Sequence, residues 1–197
     1  MAEKKNKKYN ILTTKVLHKG WSALSSFEME YYFADGTKTI VHREIYDSGD
    51  GAAVLMHNPS EKKVLLVKQF RLAAVLNGHP DGFILESCAG MLDINHPEKA
   101  IIKEIEEETG FCIKKVIKTG EVFATPGAHM EKIHLYTAEY SAGMKIHDGG
   151  GNREENEEIE VLEYSFDEIK SMVEKGEIRD AKTLILLQQG ILKGLIF

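Results

Sequence analysis

"ESCAGMLDINHPEKAIIKEIEEETGF", residues 86–111, is a glycine-containing stretch that leads into a helix of unusual charge. Asn95 or His96 can cap that helix, Pro97 suits its first position and Glu98 favours its positive end. Gly110 fits the left-handed residue that commonly closes a helix. Ala100, Ile101, Ile102 and Ile105 form an apolar stripe, and Glu104, Glu107 and Glu108 occupy the neighbouring face. Like charges at i,i+4 cost a helix roughly 0.2–0.5 kcal/mol per pair, which a solvated face tolerates. The acids by themselves therefore allow two readings, a solvated face or an oxygen-donor site for a hard divalent ion such as Mg²⁺.

Strands surround this helix. "KYNILTTKVL", "SFEMEYYF" and "TKTIVHREIYD" are rich in β-branched and aromatic residues, and Asp35-Gly36 marks a hairpin turn. An antiparallel sheet this small is marginal alone, so residues 1–48 are expected to be a subdomain that packs on the rest of the chain or on a second copy. "YDSGDG" marks the junction, and residues 49–197 form the main domain. There, "AAVLMHN", "KVLLVKQFR", "KKVIKTGEVF", "KIHLYTAEY" and "IEVLEYSF" read as strands. "HPDGFILESCAGMLD" reads as irregular, and helices are expected near 167–175 and 180–193. The fold class is α+β, a sandwich with a central acidic helix and a small N-terminal antiparallel β-subdomain.

Composition narrows the function. The 197 residues are 43% hydrophobic and 28% charged, with a formal charge of −6, so no basic footprint for nucleic acid is present. No stretch approaches the ~20 apolar residues of a membrane span, and the lysine-rich start lacks the apolar run of a signal peptide. Cys88 and Cys112 are too few for a disulfide framework or a zinc site, and reduced, buried thiols are expected. The expectation is a cytoplasmic protein.

The 86–111 stretch resembles the Nudix box, G-x5-E-x7-R-E-U-x-E-E-x-G-U with U apolar. Gly90 matches the first glycine, and Glu104, Ile105, Glu107, Glu108, Gly110 and Phe111 match the second half. The span from Gly90 to Glu104 is one residue short, His96 stands near the first consensus glutamate, and Lys103 replaces the arginine. Outside the box, "HREIYDSGDGAAVL", "VKQFRLAAVLNG", "IHLYTAEYS" and "GEIRDAKTLILL" are similar to the GDP-mannose pyrophosphatase subgroup. The resemblance implies a Nudix α/β/α sandwich, a homodimer with exchanged N-terminal strands, and Mg²⁺-dependent hydrolysis of a nucleotide-sugar substrate, GDP-mannose, to GMP and mannose 1-phosphate.

It also implies a set of site residues. The metal ligands would be the Ala89 carbonyl, Glu104, Glu108 and Glu157, with Glu107 as a weaker candidate. Substrate contacts would come from Trp21, Arg43, Glu44, Arg71, Ala89, Gly90, Met91, Glu131, Asn156, Glu157 and Lys182. Glu131 or Glu157 would serve as general base if one is needed. The glycines 149–151 read as a flexible hinge that lets Glu157 approach the metal. Pro126, fifteen residues beyond Phe111, falls where relatives that hydrolyse ADP-ribose often carry proline, so ADP-ribose cleavage to AMP and ribose 5-phosphate is the alternative. A catalytically inactive nucleotide-binding module is a further alternative, suggested by His96 and Lys103 and disfavoured by the retained acids.

Overall fold

The computed structural model describes residues 7–92, 96–152 and 157–197. These form two compact units: the described chain up to Gly49 with Phe123–Glu131, and Asp50–Val122 with Lys132–Phe197. Asn95 and Asn156 lie outside the described residues.

In the first unit, β1 (Tyr9–Lys19), β2 (Ala23–Tyr32) and β3 (Lys38–Asp47) make an antiparallel sheet in that order. The β2–β3 turn uses both predicted residues. Asp35 Oδ1 accepts from Thr37 N at 2.9 Å and from Thr37 Oγ1 at 2.7 Å, while Gly36 takes φ 87°. The 123–131 segment joins at Tyr46, whose N–H donates to the Ala128 carbonyl at 2.8 Å and whose carbonyl accepts from Met130 N at 2.9 Å. Strand β1 is exposed along its whole length, including Ile11, Leu12, Val16 and Leu17.

The second unit is built on β4 (Gly51–Asn58), β5 (Lys63–Phe70), β6 (Phe83–Glu86), β7 (Ala89–Met91), β8 (Ile117–Phe123), β9 (Lys132–Glu139) and β10 (Ile159–Ser165). Its helices are α1 (Leu72–Leu76), α2 (Pro97–Thr109), α3 (Phe166–Lys175) and α4 (Ala181–Leu192). The strand order is β10-β5-β4-β9-β8, with β4 and β9 parallel. Every residue of β4 is buried, as its unbroken apolar run requires of a strand covered on both faces. Ala52, Val54 and Met56 share a core with Ile101 and Ile105 of α2, and Ala53 and Leu55 share one with Phe166, Ile169, Leu186 and Leu187 of α3 and α4. This is an α/β/α sandwich.

The sheet forks. Strands β4 and β5 pair only over Met56–Asn58 and then part. Strand β6 continues along β5, β7 continues along β4, and the chain crosses between them at Ser87 and Cys88. The sequence reading of 79–93 as irregular is corrected here. Strands of three or four residues with different partners leave no periodic pattern to read. The five-residue α1, which buries no residue, escaped notice for the same reason. Cys88 is buried and Cys112 only half-buried; both thiols are free.

Helix α2 ends at Gly110 with φ 77°, as its sequence predicts. A Cβ there would overlap the His147 carbonyl, whereas one at Gly36 would meet nothing within 4 Å. Gly36→Ala should therefore cost only backbone strain, about 1–2 kcal/mol. Gly110→Ala should cost about 3 kcal/mol or more, because strain and overlap add. Denaturant unfolding of the two variants measures the difference, and equal losses would show that the 147 region yields freely.

Candidate active site

The crossing from β6 to β7 touches a different partner at almost every residue. Glu86, 2% exposed, receives two hydrogen bonds from Arg71, Nε to Oε1 at 2.6 Å and Nη2 to Oε2 at 2.9 Å. Lys182 Nζ donates to the same Oε2 at 2.6 Å and to Asp180 Oδ1 at 3.0 Å. Asp180 caps α4, accepting from Thr183 N at 3.0 Å and Oγ1 at 2.6 Å. The Thr183 hydroxyl in turn accepts from Ser87 N at 2.6 Å. Burial works to raise the Glu86 pKa, yet the Arg71 hydrogen bonds and the Lys182 charge outweigh it and hold the carboxyl below its ordinary range. An ionised acid is stable here because it carries two cations.

Three residues further along the crossing, Ala89 meets Glu108 of α2, an acid with the opposite surroundings. It is 1% exposed and accepts from the Ala89 N–H at 3.3 Å and from the Cys88 thiol. Burial first, and then the charges of Glu104 and Glu157, raise its pKa from 4.5 to about 8 against those two hydrogen bonds. Gly90 packs so closely on Glu104 that a Cβ would overlap its carboxyl. Glu107 points elsewhere and pairs with Lys103 at 2.8 Å, one helical turn away.

Glu157 reaches this region through the glycine run. Gly149, Gly150 and Gly151 all have positive φ, at 73°, 109° and 78°. Gly150 N–H donates to the Glu108 carbonyl at 2.8 Å and Gly151 N–H to the Glu107 carbonyl at 3.3 Å. A Cβ on Gly149 would overlap the Glu108 carbonyl. These glycines therefore cap α2 by close backbone approach, where the sequence reading expected a flexible hinge. Beyond them, Asn152 N–H donates to Glu157 Oε2 at 3.1 Å.

The carboxylates of Glu104, Glu108 and Glu157 are hard oxygen donors that suit a divalent ion whose shell water and phosphate complete. Among the described residues, no three His, Cys, Asp or Glu side chains converge on one point. The acids sense one another's charge without forming a closed cage, so the donor set is open. A divalent ion there would offset the repulsion that leaves Glu108 protonated near neutrality, with release of its proton.

Met91 is 42% exposed at the edge of β7. In the first unit, Trp21 sits at the β1–β2 turn, 76% exposed, so it is not a core tryptophan. Arg43 and Glu44 lie exposed on β3, and Arg43 Nη1 donates to the His42 carbonyl at 2.8 Å. Glu131 is within 3.6 Å of His129 Nδ1. Sequence reasoning missed Glu86, Asp180 and Thr183. The available signal was Glu86 itself, an acid ending the apolar strand "FILE", since a buried carboxylate needs partners.

A pH dependence follows. Between 4.5 and about 8, folded Glu108 binds more proton than its unfolded counterpart, so its contribution to stability falls as pH rises through that window. With chelator present, the Tm of the wild type should fall relative to that of Glu108→Gln from pH 5 to pH 8. Parallel Tm profiles would show that Glu108 titrates normally.

Comparison with known proteins agrees with this architecture. A family model described as NUDIX domain matches residues 47–187. The GDP-mannose pyrophosphatase of Cronobacter sakazakii is 43% identical over 186 residues, 94% of this chain and 96% of that protein. That of Klebsiella pneumoniae is 44% identical over 179 residues, 91% and 89% of the two. The crystal structure of an ADP compounds hydrolase superposes with a TM-score of 0.71 at 15% identity, covering 95% of this chain and 96% of that one, which is a likeness of fold. Since the matched span runs from before the fork of the sheet into α4, with the acid helix between, the chain belongs to the NUDIX domain family.

Proposed function

We propose that this chain, a Nudix pyrophosphohydrolase, cleaves the diphosphate of GDP-mannose with Mg²⁺, giving GMP and mannose 1-phosphate. The carrying observation is the near full-length identity above 40% to GDP-mannose pyrophosphatases, and the open acid set beside Arg71 supplies chemistry of the right kind. Glu108 lies close enough for its charge to act on Arg71, so a diphosphate held by the guanidinium would lie within reach of the acids. Glu104, Glu108 and Glu157, with the Ala89 carbonyl, would hold the metal, and Glu107, turned to Lys103, ranks below them. The bound ion would neutralise phosphate charge and acidify a water for attack on phosphorus.

The protein's own groups bind and orient. Arg71 offers a planar fork matched to phosphate oxygens. Gly90, Met91, Glu131, Asn156 and Lys182 would complete the contacts within residues 49–197, and Trp21, Arg43 and Glu44 those from the N-terminal β-subdomain. Glu131 or Glu157 is the general base if one acts. The exposed apolar residues of β1 favour a homodimer built by exchange of N-terminal strands, since such residues gain from burial against a second copy. Free cysteines suit the reducing cytoplasm. Among the described residues, no helix is long and apolar enough to cross a membrane.

The test compares kcat/KM for GDP-mannose and ADP-ribose with Mg²⁺ and with EDTA, with products separated by chromatography. Metal-dependent preference for GDP-mannose is expected. Preference for ADP-ribose, the outcome favoured by Pro126, would move the substrate and keep the site. Glu157→Gln should lower kcat by about tenfold or more without changing Tm, the scale of a lost metal ligand or base. Unchanged turnover at saturating Mg²⁺ would remove Glu157 from the reaction.

A further inference from the structure

Arg71 and Lys182 converge on one buried carboxylate, and their geometry differs in a way that separates their roles. The Arg71 side chain is 44% exposed, whereas that of Lys182 is 15% exposed and that of Glu86 3%. Lys182 commits two donors to Glu86 and Asp180. Arg71 commits Nε and one Nη2 hydrogen to Glu86, which leaves its Nη1 edge available. A guanidinium gripped at two points cannot rotate about its own plane, so the free edge has one direction. Ser87 N–H, bonded to Thr183, and Asp180, the cap of α4, tie the whole assembly to the start of that helix.

We infer that Glu86 is a positioning residue of the active site: it aims the Arg71 guanidinium at the diphosphate, and Lys182 helps to hold Glu86 in place. This rests on the reading of Arg71 as a phosphate-binding residue. The inference makes a prediction opposite in sign to simple electrostatics. Removing an acid near an anion site should tighten anion binding if charge alone matters. Removing the group that aims Arg71 should weaken it.

The experiment is a double-mutant cycle of Glu86→Gln and Arg71→Ala. It is read as the Kd of inorganic diphosphate with Mg²⁺ by calorimetry and as kcat and KM for GDP-mannose. Arg71→Ala should weaken diphosphate binding by about tenfold or more, the scale of a lost charge-assisted pair. Glu86→Gln should weaken it by at least about half as much on a logarithmic scale, act on KM more than on kcat, and leave the Mg²⁺-induced rise in Tm intact. In the Arg71→Ala background Glu86→Gln should add almost nothing, because a residue that acts through another is non-additive with it. Tighter diphosphate binding by Glu86→Gln, or its full effect persisting without Arg71, would overturn the inference. Should Glu86→Gln fail to fold, Arg71→Lys substitutes for it. That variant keeps the charge but cannot be gripped at two points, so it should bind diphosphate almost as poorly as Arg71→Ala, and wild-type affinity would overturn the inference. Failure of the GDP-mannose reading appears separately, as absence of wild-type turnover, and leaves the diphosphate cycle interpretable.

Discussion

The parting of β4 and β5 is the constraint on which the rest of the second unit depends. Two strands that pair over only three residues and then diverge leave a wedge lined by unpaired backbone. Buried N–H and C=O groups must find partners, and β6 and β7 supply most of them, each pairing with one side of the wedge. The residues crossing between them are satisfied individually. Ser87 N–H reaches the Thr183 hydroxyl, and the Cys88 carbonyl accepts from Val54 N at 2.9 Å. Because the crossing is short and pinned at every step, Glu86 and Ala89 are held in fixed relation to α4 and α2. The active-site geometry is thus a by-product of closing the fork.

Two buried carboxyls, Glu86 at the start of the crossing and Glu108 of α2 beside its end, then take opposite electrostatic states. Glu86 is hydrogen-bonded to two cations and is ionised; Glu108 is hydrogen-bonded to none, feels the charges of Glu104 and Glu157, and has its pKa raised to about 8. The same low-dielectric surroundings produce both results, since burial penalises a charge only where no partner is supplied. The first carboxyl is therefore structural, complete without any ligand. The second is incomplete, and what it lacks is positive charge. The crowding of glutamates on α2 makes sense in those terms: the helix tolerates it by keeping one proton, and a cation would take that proton's place.

Much of this was legible in the sequence because it lay in long periodic segments or in residues with special backbone needs. The strands from β1 to β5, α2 with its Pro97 start and Gly110 end, and the two closing helices stood where their patterns put them. What escaped was short or relational. Strands of three and four residues carry no alternation, so β6 and β7 looked like loop. Gly149–Gly151 looked like a hinge because glycine serves flexibility and close approach equally well in a one-dimensional reading. Only the overlap of a would-be Gly149 Cβ with α2 separates the two. Lys182 reads as a substrate contact, and nothing in "IRDAKT" reveals that Glu86, nearly a hundred residues earlier, also accepts from its ammonium.

The charge arrangement bears on how a diphosphate could be admitted at all. Arg71 and Lys182 lie together on one carboxylate, and Glu86 and Asp180 balance them one for one. That balance lets Lys182, only 15% exposed, stay charged without a ligand, where an unpaired charge would be costly. It also means that the resident groups offer an incoming dianion little net attraction, while Glu104 and Glu157 repel it. Arg71 contributes direction more than charge. The missing positive charge must come with the divalent ion, so metal and diphosphate should each strengthen the binding of the other, a coupling that is reciprocal by thermodynamic necessity. A site wired in this way discriminates against free phosphates in the absence of metal and reserves the free edge of Arg71 for a substrate that arrives together with the cation.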